Sequence, residues 1–477
     1  MATTELVSSL PTASEVGHFA TRLLDGYGLQ DDAPGMAILV ARGDEILFEG
    51  ARGLASAELG VPLTSAHRFA LASVSKQVVA AGVLHLVAQG LVDLEDPLAR
   101  FLPDFPNAQA ITVVQLLNHT SGVASFTNVP AFWTTPPPLA VTTGEMVAKI
   151  AILTPDFTPG QGWSYNNSGY VLAAAVIEAV AGMPWHTYLD TAILAPHGIE
   201  GIMFPDGWRV VPRLVPGHSI GEGGRVNRAF PAMFHIAHGA GGLVGDVRSL
   251  MKWNLALHRG DILPSAIHAR MITPEGAGAI PGPDGTPPDY GLGIASSTNH
   301  GEPVLSHGGG IQGFATLLAW VPSTQTTVAV LANTDDPAVM SDMIARQLVA
   351  FAIGKPYGPP LTVPTPPEAL APLAGTYRLG DQSVALHVTG NGLWIDCTPV
   401  QAAIIQGRRT PAPWHPAPEG GVTVSMPVIP LGDDQFAFEA SIARATFTRD
   451  AGGRGASFVF QAKGEGPGAT WLLVRDG

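Results

Sequence analysis

The stretch FATLLAWVPSTQTTVAVLAN, residues 314–333, places two apolar, β-branched runs on either side of Pro322-Ser323-Thr324. This pattern predicts a β-hairpin. A second hairpin is predicted near the N-terminus, where GMAILVAR (35–42) and EILFEGAR (45–52) flank Gly43-Asp44. Because strands lie at both ends of this part of the chain, we expect one antiparallel sheet that is completed by both ends.

Helical periodicity appears between the two hairpins and outside them, at about residues 12–28, 74–92, 170–181 and 337–353. We expect an α+β domain over residues 1–354, an α/β sandwich with an antiparallel sheet and a helical lobe. The sheet lobe is expected at about 1–70 and 285–354, and the helical lobe at about 71–284.

The stretch KPYGPPLTVPTPP, residues 355–367, is rich in proline and predicts a stiff linker. Short alternating runs then follow, separated by glycine, aspartate and asparagine turns: GTYRL, VALHVT, LWIDC, FAFEA, RATFTR and SFVFQAK. They predict a small all-β domain over residues 368–477, either a barrel of lipocalin-like type or a sandwich.

Composition narrows the function classes. The chain has 477 residues, of which 46% are hydrophobic and 13% charged, as in a well-packed globular enzyme. A net charge of −14 argues against nucleic-acid binding, and no apolar run reaches the length of a membrane span. With one cysteine, Cys397, and no signal-peptide pattern at the N-terminus, we expect a cytoplasmic protein without intrachain disulfides. Composition leaves homo-oligomerisation open.

A nucleophile-elbow pattern, G-x-S-x-G, occurs at Gly217-His218-Ser219-Ile220-Gly221. An elbow needs a buried strand before the serine and a helix after it. Pro212 and Pro216 disfavour that strand, and the glycines that follow disfavour the helix. We therefore expect Ser219 in a surface loop that connects parts of the helical lobe, and keep it as an alternative nucleophile.

A second serine has better chemical support. In FALASVSKQVVAAGVL, residues 69–84, Ser73 and Lys76 are spaced by one helical turn. A serine hydroxyl needs a neighbouring base to attack, and burial lowers the pKa of a lysine amine toward that role. The alternative for this pair is a polar helix start with a solvated lysine.

Two further motifs accompany it. Tyr165-Asn166-Asn167 is a Y-x-N within FTPGQGWSYNNSGY (157–170), and His307-Gly308-Gly309 is an H-x-G within VLSHGGGIQGF (304–314). In combination with S-x-x-K, they make residues 15–354 resemble serine hydrolases of the class C β-lactamase and penicillin-recognising superfamily. LLNHTSG, residues 116–122, is another similar stretch. SVSKQ, HGGGIQGF and the added β-domain look most like the D-aminopeptidase, amidase and esterase branch.

The resemblance implies a role for each motif residue. Ser73 would be the acylated nucleophile and Lys76 its proton partner. Tyr165 would be a general acid/base whose phenol is acidified by the ammonium, and Asn167 would hydrogen-bond Lys76. His307 would line the opposite wall. Each also has a structural alternative: Tyr165 as a loop aromatic, Asn167 as a helix cap, and His307 as a strand-edge histidine.

The resemblance also places the oxyanion hole at the backbone N–H groups of Ser73 and Gly310, with Gly309 allowing close approach of substrate. Relatives that bind carboxylate-bearing substrates carry a lysine where this chain has His307, so we expect amides, short D-amino-acid peptides or esters instead. The alternatives are a penicillin-binding-like sensor with slow or no turnover, and a carboxylesterase with weak β-lactamase activity. No cofactor or metal is implied, since the H-x-x-H pair His235 and His238 lacks the glutamate of H-E-x-x-H.

Overall fold

The computed structural model describes residues 10–26, 29–129, 132, 141–206, 210–221, 225–229, 234–274, 289–335, 341–357, 365–379, 382–389, 392–397, 424–432, 434–438, 444–461 and 470–476. The chain forms two compact units, Met1–Pro356 and Tyr357–Gly477. The division falls in the stretch for which a linker is predicted, of which residues 358–364 lie outside the described part.

A six-stranded antiparallel sheet organises the first unit. Its strands are β1 (Met36–Arg42), β2 (Glu45–Arg52), β3 (Ala295–Asn299), β4 (Glu302–Ile311), β5 (Phe314–Val321) and β6 (Thr326–Ala332). Their order is β2-β1-β6-β5-β4-β3, so β1 pairs directly with β6, with Met36 opposite Ala332. Both predicted hairpins are present, and the antiparallel sheet completed from both ends is confirmed.

Alternation along the central strands divides the unit into two cores, because successive side chains point to opposite faces. On one face, Ile38 and Val330 pack with Val16 of the first helix and Leu348 of the last. On the other face, Leu39 of β1 and Ala329, which lies opposite it on β6, join the core of the helical lobe. The central strands are therefore apolar on both faces, as a sheet between two helical layers requires.

The helices of the first unit are α1 (Ala13–Gly26), α2 (Ser75–Ala88), α3 (Val113–Leu117), α4 (Thr143–Ala151), α5 (Ser168–Ala181), α6 (Trp185–Tyr188), α7 (Phe234–Gly241), α8 (Val247–Arg259), α9 (Ser265–Ile272) and α10 (Ser341–Ala352). Helices α2 and α5 contact each other, and most of the residues of each are buried. Within the described part of the chain, no single helix is long and apolar enough to cross a membrane. Two helical segments, Ser168–Ala181 and Trp185–His197, reach that length only together and across a 72° bend.

The second unit begins with α11 (Pro367–Leu370) and closes into an antiparallel barrel. Its strands are β7 (Gly375–Leu379), β8 (Gln382–Thr389), β9 (Gly392–Cys397), β10 (Val424–Gly432), β11 (Gln435–Phe438), β12 (Arg444–Arg449), β13 (Gly455–Gln461) and β14 (Thr470–Arg475). The choice between barrel and sandwich is thus settled in favour of the barrel. The sequence analysis did not identify β10, which contains two prolines, Pro427 and Pro430, that are unusual within a strand, and it did not identify β14.

Candidate active site

Ser73 lies in a tight turn between a short strand and α2. Phe69–Ala70 pairs with Val244–Gly245, and a 3-10 turn over Ala72–Val74 leads into the helix at Ser75. Ala72 has a φ of 45°, a left-handed conformation that is unfavourable for a residue with a Cβ. Such conformations persist where the surroundings hold them, and they concentrate at functional sites. The serine is only 3% exposed.

Lys76 is fully buried, and its amine has three polar neighbours. Nζ lies 3.1 Å from Ser73 Oγ, 2.7 Å from Asn167 Oδ1 and 2.7 Å from the carbonyl oxygen of Ala240. Burial lowers the pKa of Lys76 well below its ordinary value. A neutral amine has two N–H donors and one lone pair. In that form, the acceptor oxygens of Asn167 and Ala240 can take both donors, and the lone pair is then available to the Ser73 hydroxyl.

Tyr165 contacts both members of this pair. Its phenol is within hydrogen-bonding reach of Ser73, and Lys76 Nζ lies 4.9 Å from the centre of its ring. Burial raises the pKa of Tyr165 above its ordinary value, and the hydrogen bond to Ser73 opposes this only weakly. The expectation that the ammonium acidifies the phenol is therefore wrong in direction, because the site desolvates both groups. The phenol stays protonated and can act as a proton donor.

Asn167 occupies the N-cap position of α5 but does not cap the helix with its side chain. Its amide instead accepts from Lys76 and donates through Nδ2 to Thr127 Oγ1 at 3.1 Å. The neighbouring Asn166 takes the capping role, since its Oδ1 accepts from the Gly169 N–H at 2.8 Å. The two adjacent asparagines thus divide helix capping and contact with the lysine between them.

His307 lies on β4, 5% exposed. Its Nδ1 is 2.6 Å from the carbonyl oxygen of Gly308 and its Nε2 is 2.8 Å from the hydroxyl of Tyr290. Burial, reinforced by nearby Lys76, lowers the pKa of His307 to about 3, so the ring is neutral. Because a carbonyl can only accept, the proton sits on Nδ1, and Tyr290 donates to Nε2. Both ring nitrogens are engaged, and neither is left to bind a substrate carboxylate.

The glycines after His307 have different surroundings. A Cβ at Gly309 would lie 2.6 Å from the carbonyl oxygen of Leu71 and would clash with Thr316 Oγ1. Gly309 therefore lets β4 pack directly against the turn that carries Ser73. A Cβ at Gly310 would meet no heavy atom within 4 Å. β3 pairs with β4 only from Glu302 to Ser306, so the strand edge beyond that point has no partner strand among the described residues.

His119 and Tyr290 are site residues that sequence reasoning did not assign. The ring of His119, 1% exposed, lies 4.5 Å from that of Tyr165 and 4.7 Å from that of Tyr290, measured between centres. LLNHTSG was a signal for His119, since it matched the same family resemblance. Nothing in the sequence around Tyr290 distinguishes it from other aromatic residues of the chain.

Ser219 takes no part in this arrangement. His218–Ile220 forms a short strand with Val226–Arg228, which corrects the expected surface loop. Ser219 Oγ donates to the carboxylate of Asp335 at 3.1 Å, and that carboxylate also accepts from the Gly313 N–H. The prolines that argued against a strand lie outside these three residues.

A cavity of about 530 Å³ lies beside this short strand and is lined by Gly217, Arg213, Arg228, Phe234 and Phe314 among others. None of the predicted site residues lines it. The chemistry of the site therefore rests on the contacts around Ser73 and Lys76 and not on this cavity.

His235 and His238 lie in α7. Among the residues that the structure describes, no group of three potential ligands could hold a metal ion. His238 has a φ of 47° and interrupts the helix two residues before Ala240, whose carbonyl accepts from Lys76. His235 and His238 therefore lie on the same helix as the Ala240 carbonyl that accepts from Lys76.

Comparison with known proteins agrees with this geometry. The family model described as Beta-lactamase matches residues 20–352. Penicillin-binding protein 4* of Bacillus subtilis (strain 168) is 26% identical over 340 residues, 68% of this chain and 73% of that protein. Among solved structures, a D-stereospecific amidohydrolase from Streptomyces sp. is 30% identical with a TM-score of 0.56, covering 67% of this chain and 94% of that one.

A third likeness extends over both units. The octameric penicillin-binding protein homologue from Pyrococcus abyssi has a TM-score of 0.64 at 21% identity and covers 97% of this chain and 99% of that one. At this identity the likeness concerns the fold, including the barrel. With the family model spanning most of the chain and the serine, lysine and tyrosine gathered at one buried point, the chain belongs to the beta-lactamase family, as a serine hydrolase of that fold.

Proposed function

We propose that the protein hydrolyses small amides, short peptides of the D-amino-acid type or esters through an acyl-enzyme on Ser73. The observation that carries the proposal is the position of the Lys76 amine, which lies 3.1 Å from Ser73 Oγ and 2.7 Å from each of two acceptor oxygens. In the neutral form, which burial favours, this arrangement lets the lone pair accept the Ser73 proton. A hydroxyl beside an unprotonated amine is an activated nucleophile.

Acylation then follows from these contacts. As Ser73 Oγ bonds to the substrate carbonyl carbon, its proton moves to Lys76, and the carbonyl oxygen becomes an oxyanion. The new ammonium has three donors, which match Asn167 Oδ1, the Ala240 carbonyl and the Ser73–Tyr165 pair. We assign the oxyanion to the backbone N–H groups of Ser73 and Gly310, since Gly310 lies on the part of β4 whose edge has no partner strand among the described residues, and a Cβ there would meet no heavy atom within 4 Å.

Tyr165 protonates the leaving group in acylation. Its phenol, kept protonated by burial, gives a proton to the departing nitrogen or oxygen as the bond to the carbonyl carbon breaks. Lys76 returns a proton to the phenolate, so both groups recover their starting state. A water then attacks the acyl-enzyme by the same proton transfers in reverse, which releases the acid and frees Ser73.

The proposed substrate class rests on the environment of His307. His307 is neutral and both of its nitrogens have partners, so it offers no charge to a substrate carboxylate. This supports substrates whose recognised end is not a carboxylate, and it disfavours penicillins. The D-stereospecific amidohydrolase, at 30% identity, supports amides of D-amino acids as the first class to test.

The test is a panel of paired substrates, D- and L-phenylalanine amide together with p-nitrophenyl acetate, assayed with wild type, Ser73→Ala and Ser219→Ala. We expect turnover by wild type and Ser219→Ala, loss of at least about 1,000-fold in Ser73→Ala, and faster hydrolysis of the D-amide. Full activity in Ser73→Ala contradicts the proposal. Stoichiometric acylation of wild type without turnover supports the sensor instead.

A further inference from the structure

We infer that His119 is the positioning residue that holds Tyr165 in its proton-donating place, an inference that rests on the proposed function. His119 contacts the chain on both sides of Tyr165. Its backbone carbonyl accepts from the Ser164 N–H at 3.1 Å, and its Nδ1 accepts from the Asn166 N–H at 3.0 Å. The residue between these two anchors is the tyrosine.

The side chain also supports Tyr165 directly. The His119 ring packs against the tyrosine ring, with 4.5 Å between centres and 49° between planes. Because Nδ1 accepts from a backbone N–H, the proton of the neutral ring is on Nε2. That nitrogen is buried and has no hydrogen-bond partner among the described residues. A buried donor without a partner costs about 1–3 kcal/mol, which a purely structural site could avoid with another side chain.

The backbone at His119 adds a further sign of constraint. Its φ of 68° lies in the left-handed region, which glycine adopts readily and which is uncommon for residues with a Cβ. The position thus carries a histidine in spite of both its backbone conformation and its unpartnered nitrogen. The imidazole offsets these costs because it holds Asn166 through a hydrogen bond and Tyr165 through ring packing.

This backbone conformation makes a clean substitution available. His119→Gly keeps the carbonyl that binds Ser164 and relieves the left-handed strain, while it removes the imidazole. His119→Asn also tolerates that conformation and keeps an acceptor oxygen, so it serves as the conservative variant. The matched control is His218→Ala, since His218 is also a buried histidine whose Nε2 accepts from a backbone N–H, that of Ala57 at 3.3 Å.

The experiment compares kcat/KM for phenyl acetate and p-nitrophenyl acetate, which share the acyl group. Phenol is a poor leaving group that needs a proton, whereas p-nitrophenolate departs as an anion. If His119 positions the proton donor, His119→Gly loses about 100-fold on phenyl acetate and less than about 10-fold on p-nitrophenyl acetate. We expect the loss on phenyl acetate to lie in kcat and not in KM. The kcat of His119→Asn should lie between those of wild type and His119→Gly.

Other results overturn the inference. An equal loss on both esters in folded variants, judged by thermal unfolding, assigns His119 a structural role only, as does no loss at all. If His119→Gly does not fold, the ratio of kcat/KM for phenyl acetate to that for p-nitrophenyl acetate is measured in His119→Asn and interpreted in the same way. His218→Ala is expected to keep the wild-type ratio. Activity that survives Ser73→Ala is a separate failure, that of the proposed function.

Discussion

Lys76 shows how much of the site is decided at the scale of single residues. The S-x-x-K spacing was enough to predict that its amine reaches Ser73, because residues three apart share a helix face. Of the two acceptors that orient the amine, Asn167 was expected only from the family resemblance, and the Ala240 carbonyl was not expected. Asn167 is 91 residues away and the Ala240 carbonyl 164 residues away. Such contacts depend on how α2, α5 and α7 pack, which local patterns do not report.

The pH dependence of activity should follow Lys76. Because burial lowers its pKa, the amine is neutral above that lowered value and gains a proton as pH falls through it. We therefore expect kcat/KM to decline on the acid side with a one-proton slope. Burial lowers the pKa of His307 to about 3, so His307 gains a proton only near that pH and adds no limb above it.

Two variants check the origin of this limb in a pH–rate profile. Lys76→Arg should be inactive at every pH, since a guanidinium does not lose its proton in proteins. His307→Gln should keep an acid limb at the wild-type position. A limb that disappears in His307→Gln, or an active Lys76→Arg, would show that the lysine is not the base.

At the scale of elements, the sequence predicted the hairpins and helices α1, α2, α5 and α10 because their periodicity is local, but it did not predict the equally long α8. It was less successful where an element is short or carries prolines, as at His218–Ile220 and β10. The H-x-G motif lies on β4, and its glycines face different surroundings. Successive strand residues point to opposite faces, so Gly309 meets the Ser73 turn while Gly310 meets open space.

This difference predicts opposite outcomes for two neighbouring substitutions. Gly309→Ala forces β4 away from the Leu71 carbonyl, which should cost about 1–3 kcal/mol of stability and most of the activity. Gly310→Ala should leave stability within about 0.5 kcal/mol of wild type and alter kcat/KM according to substrate size. Urea unfolding and ester assays measure both, with each variant serving as control for the other. Equal effects of the two substitutions would contradict the packing described for β4.

At the scale of the whole molecule, the chain combines two units, each with its own core. Strand and helix periodicity and the proline-rich stretch at 355–367 were sufficient to predict an α+β domain followed by an all-β one. They could not decide between barrel and sandwich, since closure depends on the pairing of β7 with β14, the two ends of the domain. The two serines also differ in this respect. Ser219 matches a five-residue local pattern alone, whereas Ser73 is joined in the structure by motif residues from distant parts of the chain.

The most direct measurement is therefore to locate the reactive serine by mass spectrometry. Wild type, Ser73→Ala and Ser219→Ala are labelled with a fluorophosphonate, digested and mapped. We expect one label on the peptide that contains Ser73, unchanged in Ser219→Ala and absent in Ser73→Ala. A label on the peptide that contains Ser219, or labelling that persists in Ser73→Ala, would contradict the assignment of Ser73.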